Sequence, residues 1–365
     1  VIGLSIAWRA AQRGMRVGVF ERDAFGAGSS RIAAGMIAPI SEARATEQPL
    51  LQLNLRSSHA YAGFAAEIAE ASGRDPGYVA CGTIAAARDA DDAEALQREL
   101  VMRQGLGLPV SRLLPSQARR LEPGLAPTVR LALDVPDDHA IDPRMLTPAL
   151  VVAAARAGVE MHAGRGVREI VCSGNHVEGL MLEDGERVNA SQVVIAAGVW
   201  SDAIGGIPEG ARVPVRPVKG QIMRLHDPAG PGLLSRALRI QGGPYVVPRG
   251  DGRYVLGATV EERGFDTLVT AGPLFDMLRD AIEALPGLSE LVIDELIAGL
   301  RPATPDNAPA IGPSSLRGLH WAVGHYRHGI MLAPATAEIA VEALLGTDPP
   351  PAFAPSRFEG VVAGC

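Results

Sequence analysis

One stretch near the C-terminal end constrains this chain more than any other: Gly324-His325-Tyr326-Arg327-His328-Gly329-Ile330-Met331-Leu332-Ala333-Pro334-Ala335-Thr336. The apolar run Leu319–Val323 before it predicts a short buried strand. The spacing after it predicts a helix over residues 330–345 that stops at Gly346. Gly324 and Gly329 bracket a loop carrying one Tyr, one Arg and two His, and such glycines let a backbone approach something flat or charged. A helix start offers unpaired N–H groups and the positive end of its dipole. Pro334 is compatible with the helix only near that start. A cationic loop feeding a helix N-terminus is a place to hold negative charge. A plain strand–turn–helix connection with exposed basic residues would read the same way on these letters alone.

The other end of the chain carries a weaker signal. Val1-Ile2-Gly3 runs into a helical pattern over 4–13 that ends at Gly14, a left-handed stop; residues 15–20 then read as a buried strand closed by Glu21. A Gly at a helix start with an acid at the end of the next strand is the back half of a dinucleotide-binding fingerprint. Gly3 would be its third glycine. The first two glycines and their strand would precede Val1, so a chain starting there is expected to hold a nucleotide less well than one extended upstream. Helix–Gly–strand–Glu runs also occur in many α/β proteins that bind no nucleotide.

Length and composition narrow the classes. A chain of 365 residues is too long for one ordinary core, and two domains are expected. With 47% hydrophobic and 21% charged residues the composition is globular. The net charge of −7 and the lack of a basic block argue against a nucleic-acid partner. No apolar run is long enough to span a membrane. Cys81, Cys172 and Cys365 are scattered and odd in number, which fits a reducing, cytoplasmic setting and no metal site.

Between the ends, Ser29-Ser30-Arg31-Ile32-Ala33-Ala34-Gly35-Met36 reads as a loop of small and hydroxylated residues. Residues 50–72, 90–105, 143–157 and 271–285 show helical periodicity, and 78–87 alternates as one strand. His139, alone among acids, reads as part of a surface turn rather than a ligand. Short strands are expected at 159–162 and 166–172, and an apolar strand at 192–201. From Pro214 the pattern changes to strands at 218–225, 244–249 and 253–260, with a hairpin turn at Asp251-Gly252, which argues for an antiparallel sheet. Residues 295–300 lead into Arg301-Pro302. There are no internal repeats.

Taken together, these segments resemble the glycine oxidase and D-amino-acid oxidase family. The resemblance rests on Ala34-Gly35-Met36, Pro217-Val218-Lys219-Gly220, residues 245–249, Gly257-Ala258-Thr259, residues 299–304 and, most specifically, residues 324–336. It implies an α/β chain: a Rossmann-like FAD-binding domain from 1–75, 140–210 and 300–365, and an inserted antiparallel-sheet substrate domain from 76–139 and 211–299. It also implies a set of FAD-binding residues. Gly3, Glu21, Arg22, Ser29 and Ser30 belong to the adenine-side half, with Val167 giving a backbone contact to adenine. Ala34, Gly35, Met36 and the run His325, Tyr326, Arg327, His328, Gly329, Ile330 and Met331 lie at the isoalloxazine, and Gly198 lies beneath the cofactor. Arg301 would pair with a substrate carboxylate while Tyr245 and Arg327 help hold the substrate, since an arginine fork matches a carboxylate and keeps its proton.

The implied reaction is oxidation of glycine or a small D- or N-methyl amino acid by hydride transfer to flavin N5. It yields 2-oxo acid, ammonia and, with molecular oxygen, hydrogen peroxide. Glycine oxidases serving thiamine thiazole synthesis are the nearest branch, and a homo-oligomer is expected. Gly243 and Val260 depart from the His and Met of that pattern. The rivals are a D-amino-acid dehydrogenase delivering electrons to a quinone and a non-catalytic flavin-binding protein.

Overall fold

The computed structural model describes residues 1–359. Cys365, and the end of the segment 300–365 expected in the flavin domain, lie outside them. The Ile2–Gln12 helix runs to Gly14, whose φ of +80° is the left-handed stop its sequence suggests. The next strand, Gly18–Glu21, pairs in parallel with Glu160–Ala163. Val193–Ile195 pairs in parallel with Leu319–Val323, which is flanked on its other side by antiparallel Ala310–Pro313. The helix Ala333–Leu344 packs back on Ile2–Gln12 through Ile6, Ala10, Leu332, Ala337 and Val341. Residues from the first, middle and last thirds of the chain thus meet in one layered unit.

The larger sheet has eight strands, in the order Val292–Ala303, Arg216–His226, Arg253–Gly257, Tyr245–Pro248, Ala237–Ile240, Thr83–Ala87, Leu131–Val135, Ser111–Leu113. Its neighbours are antiparallel except Ala237–Ile240 with Thr83–Ala87, which run parallel. Side chains alternate between faces at period two. On the back face, Met223, Val246 and Leu256 bury against Leu274, Met277 and Ala281 of the Ala271–Ala284 helix. Each such fully buried apolar side chain contributes roughly 1.5–3 kcal/mol. On the front face, Ile222, Val247 and Val255 pack with Ala34 and Ala140 and meet the partly buried Tyr245. The front face is the one that matters for the site.

Several boundaries differ from the sequence expectations for identifiable reasons. Residues 78–87 form two strands in different sheets, Tyr78–Val79 and Thr83–Ala87, because Gly82 turns the chain at φ +70°. The strand expected over 192–201 ends at Ile195, and Gly198, at φ +58°, opens a 3-10 turn. His139 starts the strand His139–Ile141, paired on both sides, instead of lying in a surface turn. Ser29–Ile32 is a single helical turn where a loop was expected. The C-terminal helix begins at Ala333, not at residue 330, with Pro334 inside its first turn. No helix among the described residues is long and apolar enough to cross a membrane, and no group of three His, Cys, Asp or Glu could hold a metal ion.

Candidate active site

The site is built where the front face of the large sheet meets the loop 324–332. Arg301 stands opposite Val218 in the ladder between Val292–Ala303 and Arg216–His226. Its guanidinium lies flat against Gly220, where a Cβ would fall 2.4 Å from both terminal nitrogens. Arg301 Nη1 donates to Lys219 O at 3.2 Å and Thr259 O at 3.0 Å. Among the described residues no carboxylate lies within 4.0 Å of this guanidinium, and Nη2 and Nε make no hydrogen bond. The arginine is held by one corner and presents its other edge.

Tyr245 opens the Tyr245–Pro248 strand, separated from Arg216–His226 by Arg253–Gly257, on the same face and with its hydroxyl over Gly257. Burial pushes its phenol pKa up, with Arg301, Glu42, Arg249 and Arg327 all close enough to act on it, so it stays a neutral donor and acceptor. Arg249, at the far end of that strand, is buried and donates to Ile141 O at 3.0 Å and Ala34 O at 2.7 Å. It fastens the Ala34–Gly35 backbone to the sheet. Gly35, at φ +76°, is required locally, since a Cβ would sit 1.9 Å from Ile141 O.

The loop after the Leu319–Val323 strand turns at Gly324, φ +77°, against Thr304. Tyr326 has φ +48°, a conformation bulky residues rarely adopt. Its N–H donates to Pro302 O at 2.7 Å, which ties the loop to the strand bearing Arg301. Beyond it, the carbonyls of Ile330 and Met331 accept from the hydroxyls of Tyr61 (3.0 Å) and Ser57 (2.7 Å). With those carbonyls fixed, the amides of Gly329, Ile330 and Met331 find no protein acceptor among the described residues, although Ile330 and Met331 are buried. Buried amides are rarely left so. Successive amides at a helix start form a cradle for an anionic or electron-rich group.

Charged and titratable neighbours complete the picture. His325 bonds the Thr336 hydroxyl at 3.0 Å, and burial pushes its pKa down to about 3, so it is neutral. Burial likewise lowers His328, which lies 3.5 Å from Glu42. Burial would raise Glu42, but Arg327, His328, Arg239 and Arg301 outweigh it and hold its carboxyl below the ordinary value. Arg327 stacks over Tyr326 at 5.4 Å, and its Nε is buried without a partner. The loop carrying Glu42 is itself braced: Asp138 accepts from the amides of Ile40 and Ser41, and Arg103 donates to their carbonyls.

A second group of the expected residues gathers around the start of the first helix. Gly3 approaches Ala196, where an added Cβ would be 3.3 Å from that methyl, the close helix–strand packing asked of a third fingerprint glycine. Glu21 ends its strand and accepts from Asp23 N at 3.1 Å. Arg22 stacks on Trp200, two residues past Gly198, at 4.7 Å. Arg165 N donates to Glu21 O at 2.8 Å, which brings the start of the Val167–Ser173 strand alongside. Ser29 gives its hydroxyl to Leu300 O at 2.5 Å, and Ser30 accepts from the Val1 amine at 2.9 Å. Met36 pairs with Ala140.

Three site residues escaped the sequence reading. Ser57 and Tyr61 lie four apart, on one face of the Gln48–Ser72 helix, and that spacing of hydroxyls was the available signal. Nothing local marks Glu42.

Known proteins agree with this architecture. A family model described as DAO, FAD dependent oxidoreductase, matches residues 1–343. Glycine oxidase of Geobacillus kaustophilus (strain HTA426) is 34% identical over 345 residues, covering 94% of this chain and 90% of that protein. The bifunctional protein ThiO/ThiG of Synechocystis sp. is 33% identical over 98% of this chain but 53% of its own length, so the chain spans about half of it. A crystal structure of glycine oxidase from Geobacillus kaustophilus has a TM-score of 0.90 at 32% identity, covering 98% of this chain and 96% of that one. The protein is an α/β flavoenzyme, an oxidoreductase whose cofactor is FAD. The chain belongs to the DAO family of FAD-dependent oxidoreductases.

Proposed function

We propose that this enzyme oxidises glycine or another small amino acid, D- or N-methyl, to an imine that water hydrolyses to the 2-oxo acid and ammonia (methylamine from an N-methyl substrate), with molecular oxygen as final acceptor and hydrogen peroxide as product. The observation that carries this reading is Arg301: its guanidinium is laid on bare backbone, anchored by one nitrogen, with no acid among the described residues paired to it and Tyr245 and Arg327 nearby. A substrate carboxylate completes that fork. Arg301 is half-buried, so an anionic partner that also shields it from water is favoured over a neutral group there.

FAD, when bound, supplies the two-electron acceptor. The residues present fit it: the amides of Gly329, Ile330 and Met331 form a cradle suited to the electron-rich edge of an isoalloxazine. Gly3, Glu21, Arg22, Ser30, Val167 and Gly198 gather where the adenine-side half would lie. Arg301 binds and orients the substrate, Tyr245 offers a neutral hydroxyl beside it, and neutral His325 holds the loop by Thr336 without adding charge. Nothing here requires a protein base if the amine enters unprotonated; positioning carries the rate. The ThiO name in a relative supports a place in supplying thiamine thiazole synthesis.

The test is an amino-acid panel on FAD-loaded enzyme with peroxide detection. Glycine, sarcosine and small D-amino acids should outrun bulky ones, with L-amino acids inert. A preference for D-Phe or D-Leu over glycine rejects the substrate class. Turnover with an artificial dye but no peroxide favours a quinone-linked dehydrogenase. Arg301→Lys should raise the KM for glycine roughly ten- to a hundredfold, each lost charge-assisted bond being worth about 1.5–3 kcal/mol.

A further inference from the structure

The back face of the large sheet carries a polar network with no role in the chemistry described above. Lys219 is 1% exposed and Gln221 is fully buried, both in the middle of the Arg216–His226 strand. They alternate with Gly220, so their side chains leave the sheet on the face away from Arg301. Lys219 Nζ reaches Asp266 Oδ2 at 2.7 Å and lies 3.9 Å from Glu261 Oε2. Gln221 Nε2 donates to Glu261 Oε1 at 2.8 Å and Thr270 Oγ1 at 3.0 Å, and its Oε1 accepts from Thr270 N at 2.8 Å. Asp266 also accepts from Leu268 N at 2.8 Å. Lys219 and that amide together hold its carboxyl below the ordinary value.

All these partners belong to one segment, residues 258–270, between the Arg253–Gly257 strand and the Ala271–Ala284 helix. The start of the segment also pairs by backbone with Lys219 and Gln221, Glu262 pairs with Arg216, and Phe265 packs on Trp200. But Val260, Phe265 and Leu268 are more than half exposed, at 59%, 54% and 74%, so the buried side-chain clamp is what reaches its outer part. Yet it supplies the Thr259 carbonyl that Arg301 Nη1 donates to. The Lys219 backbone serves both sides: its carbonyl accepts from Glu261 N at 3.0 Å and from Arg301 Nη1 at 3.2 Å. A buried ammonium on the back of the sheet therefore fixes the segment whose carbonyl fixes the arginine on the front.

We propose that Lys219 is a positioning residue for substrate recognition: clamped to Asp266, it holds segment 258–270 so that Thr259 O and Lys219 O set the angle of the Arg301 fork. This rests on the carboxylate role of Arg301 proposed above. Lys219 touches no substrate. Its removal frees the segment, lets the fork wander, and weakens carboxylate binding while leaving the oxidation of bound substrate alone.

The experiment uses the full FAD-loaded chain with Lys219→Met, Asp266→Asn and Arg301→Lys, singly and with Lys219→Met combined with Arg301→Lys. Three quantities are read: KM and kcat for glycine, the Kd of acetate, and the oxidation rate of a primary amine lacking a carboxylate. Lys219→Met and Asp266→Asn should each raise the glycine KM and the acetate Kd by roughly tenfold or more, the scale set by misplacing a binding group by a fraction of an ångström. Saturated kcat should stay near wild type and the carboxylate-free amine should not respond. In the Arg301→Lys background, Lys219→Met should add little. If Lys219→Met is insoluble, Asp266→Asn alone decides, because it changes a partly exposed loop position and keeps the shape of the side chain. The inference is overturned if Arg301→Lys raises the glycine KM while neither clamp variant does, if the clamp variants lower kcat at constant KM, or if they act undiminished on the carboxylate-free amine. An unchanged KM and acetate Kd in Arg301→Lys would instead remove the carboxylate reading, and this inference with it.

Discussion

Gly220→Ala isolates the fork geometry from everything else in the site. Gly220 sits in regular strand, so its backbone accepts an alanine without strain, and the three atoms nearest the new methyl all belong to Arg301. It would stand 2.4 Å from Arg301 Nη1 and Nη2 and 2.5 Å from Cζ, where ordinary contact starts at 3.4 Å. The guanidinium must lift by about 1 Å, and a misplacement of that size can cost on the order of a hundredfold in rate. The same lift strains the 3.0 and 3.2 Å bonds to Thr259 O and Lys219 O. Because the obstacle is the end of a flexible side chain, folding should suffer by no more than about 1–3 kcal/mol. The expected result is a kcat/KM for glycine down by about two orders of magnitude, mostly through KM, with FAD content unchanged and a modestly lower Tm. Steady-state turnover, the flavin spectrum and a melting curve decide it. A kcat/KM within threefold of wild type would show that nothing depends on where that guanidinium lies, and the substrate role of Arg301 would fall.

Other consequences are equally direct. Glu42→Gln should lower Tm at pH 7 and begin to lose that effect as pH falls below about 4.5, because a carboxyl held below its ordinary value contributes its full stability above that value and loses it as pH falls on through the folded value; a gap that does not shrink at all on acidification below about pH 4.5 would deny the charge coupling to Arg327 and His328. His325 has a folded pKa of about 3 against 6.5 unfolded, so between those limits the unfolded chain binds more protons and stability drops as pH is lowered, by at most about 1.4 kcal/mol per unit. His325→Gln should flatten that slope between pH 6.5 and 5 in paired melting curves, and an unaltered slope would place the titration elsewhere. Gly35→Ala should cost roughly 2–5 kcal/mol through a left-handed Cβ and a clash with Ile141 O, seen as insoluble or strongly destabilised protein.

Much of this protein is legible in its letters. Helical and strand periods placed Ala90–Gly105 and Leu319–Val323 to the residue and Gln48–Ser72, Pro143–Arg156, Arg216–His226 and Ala271–Ala284 to within two, because these segments bury one face or both and their apolar spacing reports it. Leu131–Val135, His176–Leu182, Ala237–Ile240 and Ala310–Pro313 went unread. Motif order placed the family, and with it FAD, since Gly324 and the residues around it are constrained by backbone approach that few sequences satisfy. The start of the C-terminal helix was misjudged because Ile330, Met331 and Leu332 are apolar for tertiary reasons: they are buried under the first helix and Gln48–Ser72 while their backbone is still turning. His139 misled for the opposite reason, as strand pairing on both sides offsets its polar surroundings.

What the sequence determined by itself is local: period, turn chemistry, and which residue types stand in a recognisable order. What only the tertiary structure decided is convergence. Glu42 reaches His328 from a loop nearly three hundred positions away, Ser57 and Tyr61 turn the Ile330 and Met331 peptides from across the core, and Lys219 acts on Arg301 through a loop tied to the opposite face of its strand. None of these partnerships leaves a periodic trace, because electrostatic and hydrogen-bond coupling depends on distance in space and carries no record of separation along the chain.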